Sequence, residues 1–217
     1  MSRFPTFLKF FIPSLIGIFM FLVPLNIDGD TTVPVAFLAN TIIDFVTLEN
    51  ITLLTVVTIV ISALFSIIYS WIVKSGSGFM NDVFNTSNFW VILRTIGAVF
   101  AVLAYAQFGP EMIISANTGS MILNDLLPTL FTVFIIAGFF LPLLLNYGLL
   151  EFIGTLFSKI MRPLFTLPGR STVDNLASWV GDGTVGVILT SKQYEDGFYS
   201  KREASVIAST FSVVSIT

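Results

Sequence analysis

Polar positions are scarce along this 217-residue chain and very unevenly spread. Nearly unbroken apolar runs cover about Phe7–Leu25, Ile51–Val73, Phe89–Phe108 and Leu126–Leu150. Each holds about 20 residues, enough for a helix rising 1.5 Å per residue to cross roughly 30 Å of hydrocarbon. Four transmembrane helices are therefore predicted within residues 1–150. Pro128 and Pro142 would kink the last, where neighbouring helices re-satisfy the freed carbonyls. Thr32–Leu48 is also apolar but carries Pro34, Asn40 and Asp44. It reads as an interfacial or re-entrant segment.

In residues 151–166, EFIGTLFSKIMRPLFT, the spacing puts Phe152, Leu156, Ile160 and Leu164 on one helical face and Lys159 and Arg162 off it. That pattern predicts a helix lying in the cytoplasmic interface; the competing reading continues the fourth span.

Composition agrees with a membrane protein. The chain is 55% hydrophobic and 11% charged, against about 25% charged for globular domains. The basic start followed by an apolar run is not a signal peptide, because the run is too long and FLVPLNIDGD has no small-x-small cleavage site. The charges also orient the chain. Arg3, Lys9, Lys74, Arg94, Lys159, Arg162 and Arg170 fall on one side if Thr32–Leu48 does not cross, while Asp28, Asp30, Asp44, Glu49 and Glu111 occupy the other. The positive-inside rule then places the amino terminus in the cytoplasm of a multi-pass cell (inner) membrane protein.

With no Cys and no His, the chain has no thiolate, no zinc-thiolate site and no imidazole base. None of its five lysines follows a Ser by three. No enzyme is predicted, and no cofactor or metal. The basic residues form no patch, so nucleic acid is not a partner. NIDGD at 26–30 resembles the start of a calcium loop, but Thr31 and Phe37 stand where Gly and Glu are required; it reads as a turn. Arg94 is expected to snorkel to the headgroups. The 23 phenylalanines face lipid and fill the packing.

Polar residues concentrate in one stretch, RSTVDNLASWVGDGTVG, residues 170–186. Arg170 precedes it and Lys192, Lys201 and Arg202 follow it, so both ends belong on the cytoplasmic side. Ser171–Val180 makes about 15 Å of helix, half a bilayer, and GDGTVG allows a reversal. A re-entrant helical hairpin is predicted. Ser171, Asn175, Ser178 and Asp182 recur at i, i+4, i+7 and i+11 on one face, with Val173, Leu176, Trp179 and Val180 on others. Irregular backbone and ionisable groups at membrane depth are tolerated beside a cavity or solute path. The candidate solute site is therefore Ser171, Asn175, Ser178, Asp182, Thr184 and Ser212. The bland alternatives are that Asp182 only caps a helix from Thr184, and that Asp174 and Asn175 lie in a cytoplasmic loop.

PGRS at 168–171, SWVGDGTVG at 178–186, YEDGFY at 194–199, and KREA with STFS within 201–212 resemble the nucleoside-recognition, or Gate, domain of YjiH-type membrane proteins. The likeness runs from about Leu167 to the end. It implies an all-α, multi-span helical membrane protein that is part of a solute transporter, for nucleosides or related compounds. The Gate domain also resembles parts of concentrative nucleoside transporters, of the ferrous-iron transport protein B and of the spore maturation membrane proteins. The last suggest an alternative, a non-transporting scaffold or morphogenesis protein. The transporters' glutamine-threonine hairpin and Glu-bearing, Asn-rich helix motifs are absent, as is G-x-x-x-x-G-K-[ST]. The partners implied are the lipid bilayer and a small solute, and a homo-oligomer is compatible. From Ala204 to Thr217 the chain turns apolar, with Ser205, Ser209 and Ser212 on one face. A further span is expected to begin there, in a protein that continues.

Overall fold

A computed structural model describes residues 4–27, 30–73, 78–180 and 183–212. They are almost entirely helical. In chain order come α1 (Phe4–Leu22), a short antiparallel pair β1 (Leu25–Ile27) and β2 (Asp30–Thr32), and α2 (Pro34–Val46). Next are α3 (Leu48–Ile67), which runs on as a π-helical turn through Val73, α4 (Phe79–Phe84) and α5 (Asn88–Tyr105). The short α6 (Glu111–Ile114) and α7 (Gly119–Met121) lead through a second π turn (Ile122–Leu126) into α8 (Leu127–Leu145). Last come α9 (Leu149–Phe165), α10 (Ser171–Val180), α11 (Gly183–Glu195) and α12 (Lys201–Val206), continued by a third π turn, Ile207–Phe211.

Among the described residues, three helical runs are long and apolar enough to cross a bilayer: Leu48–Val73, Asn88–Tyr105 and Glu111–Leu145. They overlap the second, third and fourth predicted spans, the last run extending from Glu111 to Leu145 rather than from Leu126 to Leu150. The first predicted span is helical as α1, and α2, with 13 residues, reaches only about 20 Å. The protein is a multi-pass helical membrane protein. Across the β1–β2 pair Ile27 is opposite Asp30.

The chain divides into two compact units, residues 42–131 and residues 1–41 with 132–217. In the first, α3 and α5 pack side by side, and Val56, Ala104 and Leu123 form a small apolar core. Arg94 Nη1 donates to the buried Ser66 Oγ at 2.6 Å. That hydroxyl on the neighbouring helix supplies an acceptor between the two spans.

The second unit carries the main core. Phe21 of α1, Val35 and Ala39 of α2, and Val133, Ala137 and Leu144 of α8 close on Val173 and Ala177 of α10 and on Val185 and Leu189 of α11. Gly17 lets α1 approach α8, since a Cβ there would lie 3.1 Å from the Leu144 backbone. The fourth span does not run on into 151–166. Helix α8 stops at Leu145, and Gly148 adopts φ +91° before α9 begins. The α9 stripe Phe152, Leu156, Ile160 and Leu164 is exposed along its length, while Leu149, Leu150 and Met161 pack inward.

Candidate functional site

The polar stretch folds as a hairpin of two short antiparallel helices. Its register shows in two pairs. A Cβ on Gly186 would fall 1.6 Å from Ser178 Oγ, and Thr190 reaches Asp174 one turn further along. At 10 and 13 residues, α10 and α11 measure about 15 and 20 Å, and neither covers a bilayer of about 30 Å. Both open ends of the hairpin therefore lie at the same end of the pair.

Local chemistry sets the boundaries. Ser171 Oγ donates to the Pro168 carbonyl at 2.7 Å as α10 starts. Helix α11 ends at Asp196–Gly197, where Gly197 takes φ +79° and its N–H donates to the Tyr194 carbonyl, a common helix stop. Ser200 then caps α12 in a reciprocal box with Glu203. The motif YEDGFYSKREA is thus a helix stop followed by a helix start. Arg170 ties this base together, pairing with Glu151 of α9 and lying 3.7 Å above the Phe198 ring.

Polar side chains fill the hairpin's interior. Ser171, Asp174 and Ser178 are wholly buried, as, very nearly, are Thr190 and Gln193 of α11. Asp174 is the centre. Its Oδ1 accepts from Gln193 Nε2 at 2.6 Å and its Oδ2 from Thr190 Oγ1 at 2.9 Å. The buried Tyr199 hydroxyl lies within reach of Asp174 and Gln193 but closes no well-aligned hydrogen bond. Gln193 Oε1 and Asn175 Oδ1 are likewise buried without partners. A buried carboxylate is costly unless it is hydrogen-bonded, and Thr190 and Gln193 supply those bonds in an otherwise apolar chain.

The structure brings some predicted residues together and separates others. Ser178 Oγ meets Ser212 Oγ at 3.0 Å and donates to the Asp174 carbonyl. Trp179 Nε1 donates to the Phe211 carbonyl at 3.1 Å, so the end of the last helix docks on α10. Thr184 is half-buried near the start of α11, and Asp182 lies outside the described residues. The loop alternative for Asp174 and Asn175 is overturned, because both sit in α10 and are buried. Val173, off the polar face, packs in the apolar core, while Leu176 and Trp179 are the exposed residues of α10. The serine stripe also breaks. Ser205 and Ser209 are exposed while Ser212 is buried, because the π turn at Ile207–Phe211 bonds i to i+5 and rotates the face.

Sequence reasoning missed Asp174, Thr190, Gln193 and Tyr199. Asp174 was within reach: it stands three after Ser171 and four before Ser178, on the same helical face. Thr190 and Gln193, at i and i+3 on the return helix, carried the matching signal.

Residues 127–217 match the family model described as Gate, nucleoside recognition. They are a Gate domain. The Gate domain thus contains α8 to α12 and the whole polar hairpin. An uncharacterised protein of Alkalihalophilus pseudofirmus is 47% identical over 214 residues, covering 96% of this chain and 46% of that protein. The chain spans about half the length of this curated relative. No solved structure matches it.

At the open end of the Gate hairpin the charges are already matched. Lys192 lies 2.9 Å from Asp196 and 3.7 Å from Glu195. Its exposed ammonium is held above the usual lysine range, chiefly by the hydrogen bond to Asp196.

Proposed function

We propose that this Gate domain forms part of a solute path in a YjiH-type transporter of the cell (inner) membrane, with the amino terminus cytoplasmic. The solute is a nucleoside or a related small polar molecule. The observation that carries this reading is the buried polar seam of the hairpin, above all Asn175 Oδ1, an acceptor with no partner. A native core leaves few such atoms, and a solute donor would satisfy it. The hairpin enters the membrane from the cytoplasmic side and returns. Asn175, Ser178, Thr184 and Ser212 line the path, and Ser171 fixes the start of α10.

The test is a thermal-shift and uptake panel of nucleosides and related solutes on the full-length protein. Asn175→Ala should remove the response to the active solute. It should leave the unliganded melting temperature within about 4 °C, because an unpartnered acceptor adds little stability. No stabilisation and no uptake across the panel would sink the proposal. That outcome would favour the scaffold reading, which draws on the Ser178–Ser212 bond as a static clamp between helices.

A further inference from the structure

Helix α9 turns a large apolar face outward. Phe152 and Leu156 are each 60% exposed and Leu164 is 69% exposed. The opposite face is fixed: Leu149, Leu150 and Met161 are buried, and a Cβ on Gly169, just before α10, would lie 2.0 Å from the Gly154 carbonyl oxygen. The stripe cannot roll inward without parting these backbones. Its neighbours set its level. A Cβ on Gly17 would lie 3.1 Å from the Leu144 backbone, and one on Gly148 would lie 3.5 Å from the Phe10 ring. Helices α1 and α8 therefore run antiparallel, and α9 starts beside the amino-terminal half of α1.

Charge then selects what meets this face. Lys159 stands three residues from both Leu156 and Arg162 and seven from Phe152, so the two cations run along one edge of the stripe. Both are exposed. The one acid of α9, Glu151, is taken by Arg170. Among the described residues neither Lys159 nor Arg162 makes an ion pair. Cations flanking an apolar stripe sit at headgroup level when the stripe enters hydrocarbon, and their complement there is a lipid of net negative charge. A second copy of this chain fits the face poorly. A symmetric pair brings the same patch to both sides, which sets the same unpaired cations against one another, and like charges across an interface repel.

We propose that α9 is a binding site for anionic phospholipid, with Lys159 and Arg162 on the headgroup and the stripe Phe152, Leu156, Ile160 and Leu164 against the acyl chains. This goes beyond the solute path and is measured without any solute, so the two can fail separately.

The experiment uses the full chain in lipid nanodiscs, with a fluorophore on Thr155→Cys in this Cys-free sequence. Thr155 is exposed, four residues before Lys159 and seven before Arg162, and so lies on the basic edge. Quenching by nitroxide-labelled phosphatidylglycerol is compared with quenching by phosphatidylcholine that carries the nitroxide on the same acyl carbon. A fluorophore on Phe139→Cys of α8, at a position 77% exposed, is the reference. At low salt, position 155 should prefer phosphatidylglycerol over the reference, each cation contributing about fivefold, and high salt should reduce the preference. Lys159→Gln and Arg162→Gln should each remove about fivefold of it, whereas Lys159→Arg should keep it. Both side chains are exposed, so these variants should fold. Equal quenching by the two lipids would overturn the proposal, as would a preference that survives the double Lys159→Gln, Arg162→Gln change. Absence of quenching by either lipid would overturn it too, because protein would then cover the face.

Discussion

Gly186 and Ser178 show how finely single residues set this hairpin. In an exposed helix, Gly→Ala would add up to about 1 kcal/mol of helix preference. Here the new methyl would lie 1.6 Å from Ser178 Oγ, 2.9 Å from its Cβ and 3.0 Å from the Asp174 carbonyl. Overpacking of that kind costs about 1–3 kcal/mol, so the sign reverses. Gly186→Ala should lower the melting temperature by several degrees, and adding Ser178→Gly should return part of it. A more stable Gly186→Ala protein would show that α10 and α11 do not pack in this register. The same residues show what was legible. The polar spacing of α10 announced a special face, but the pattern i, i+4, i+7 and i+11 passed over Asp174. Its partners Thr190 and Gln193 lie 16 and 19 residues away, and no local rule links positions so separated.

At the scale of elements, the hairpin was readable because two physical limits coincide. Ten residues of helix are too short to cross a bilayer, and basic residues flank both ends. Single Cys probes in this Cys-free chain check its sidedness. Thr166 and Arg202, both exposed, should label from the same, cytoplasmic face when changed to Cys. Gly169 is unsuitable, since a Cβ there would lie 2.0 Å from the Gly154 carbonyl. Labelling from opposite faces would refute a re-entrant hairpin. The break between α8 and α9 was harder to read. The decisive feature is the positive φ of Gly148, one among 15 glycines, and nothing in the local pattern marks it over the others.

At the scale of the whole molecule, charge and length together predict topology. Asp28, Asp30, Asp44 and Glu49 cluster without any Lys or Arg, and α2 is too short to cross. Asn26→Cys and Asn50→Cys should therefore both react with an impermeant reagent added to intact cells. Reaction at Asn26 alone would mean that 32–48 crosses, and that the charge bias misleads here. The exposed apolar stripe of α9 belongs to the same scale. Its position after a span that ends at Leu145 suits a helix at the bilayer boundary, with Lys159 and Arg162 toward the headgroups.

Apolar runs of about 20 residues, a shortage of charge and the PGRS, SWVGDGTVG and YEDGFY motifs determined by themselves that this is a multi-pass helical protein with a Gate hairpin. Those features are local, so a one-dimensional reading captures them. Only the tertiary structure decided which polar atoms meet. It buried Asp174 between Thr190 and Gln193, turned Arg94 onto Ser66, and carried Ser212 to Ser178 by inserting a π turn. The physical reason is that hairpin register and helix rotation follow from close packing at Gly186, Gly183 and Gly169, contacts between segments that the order of residues does not encode locally.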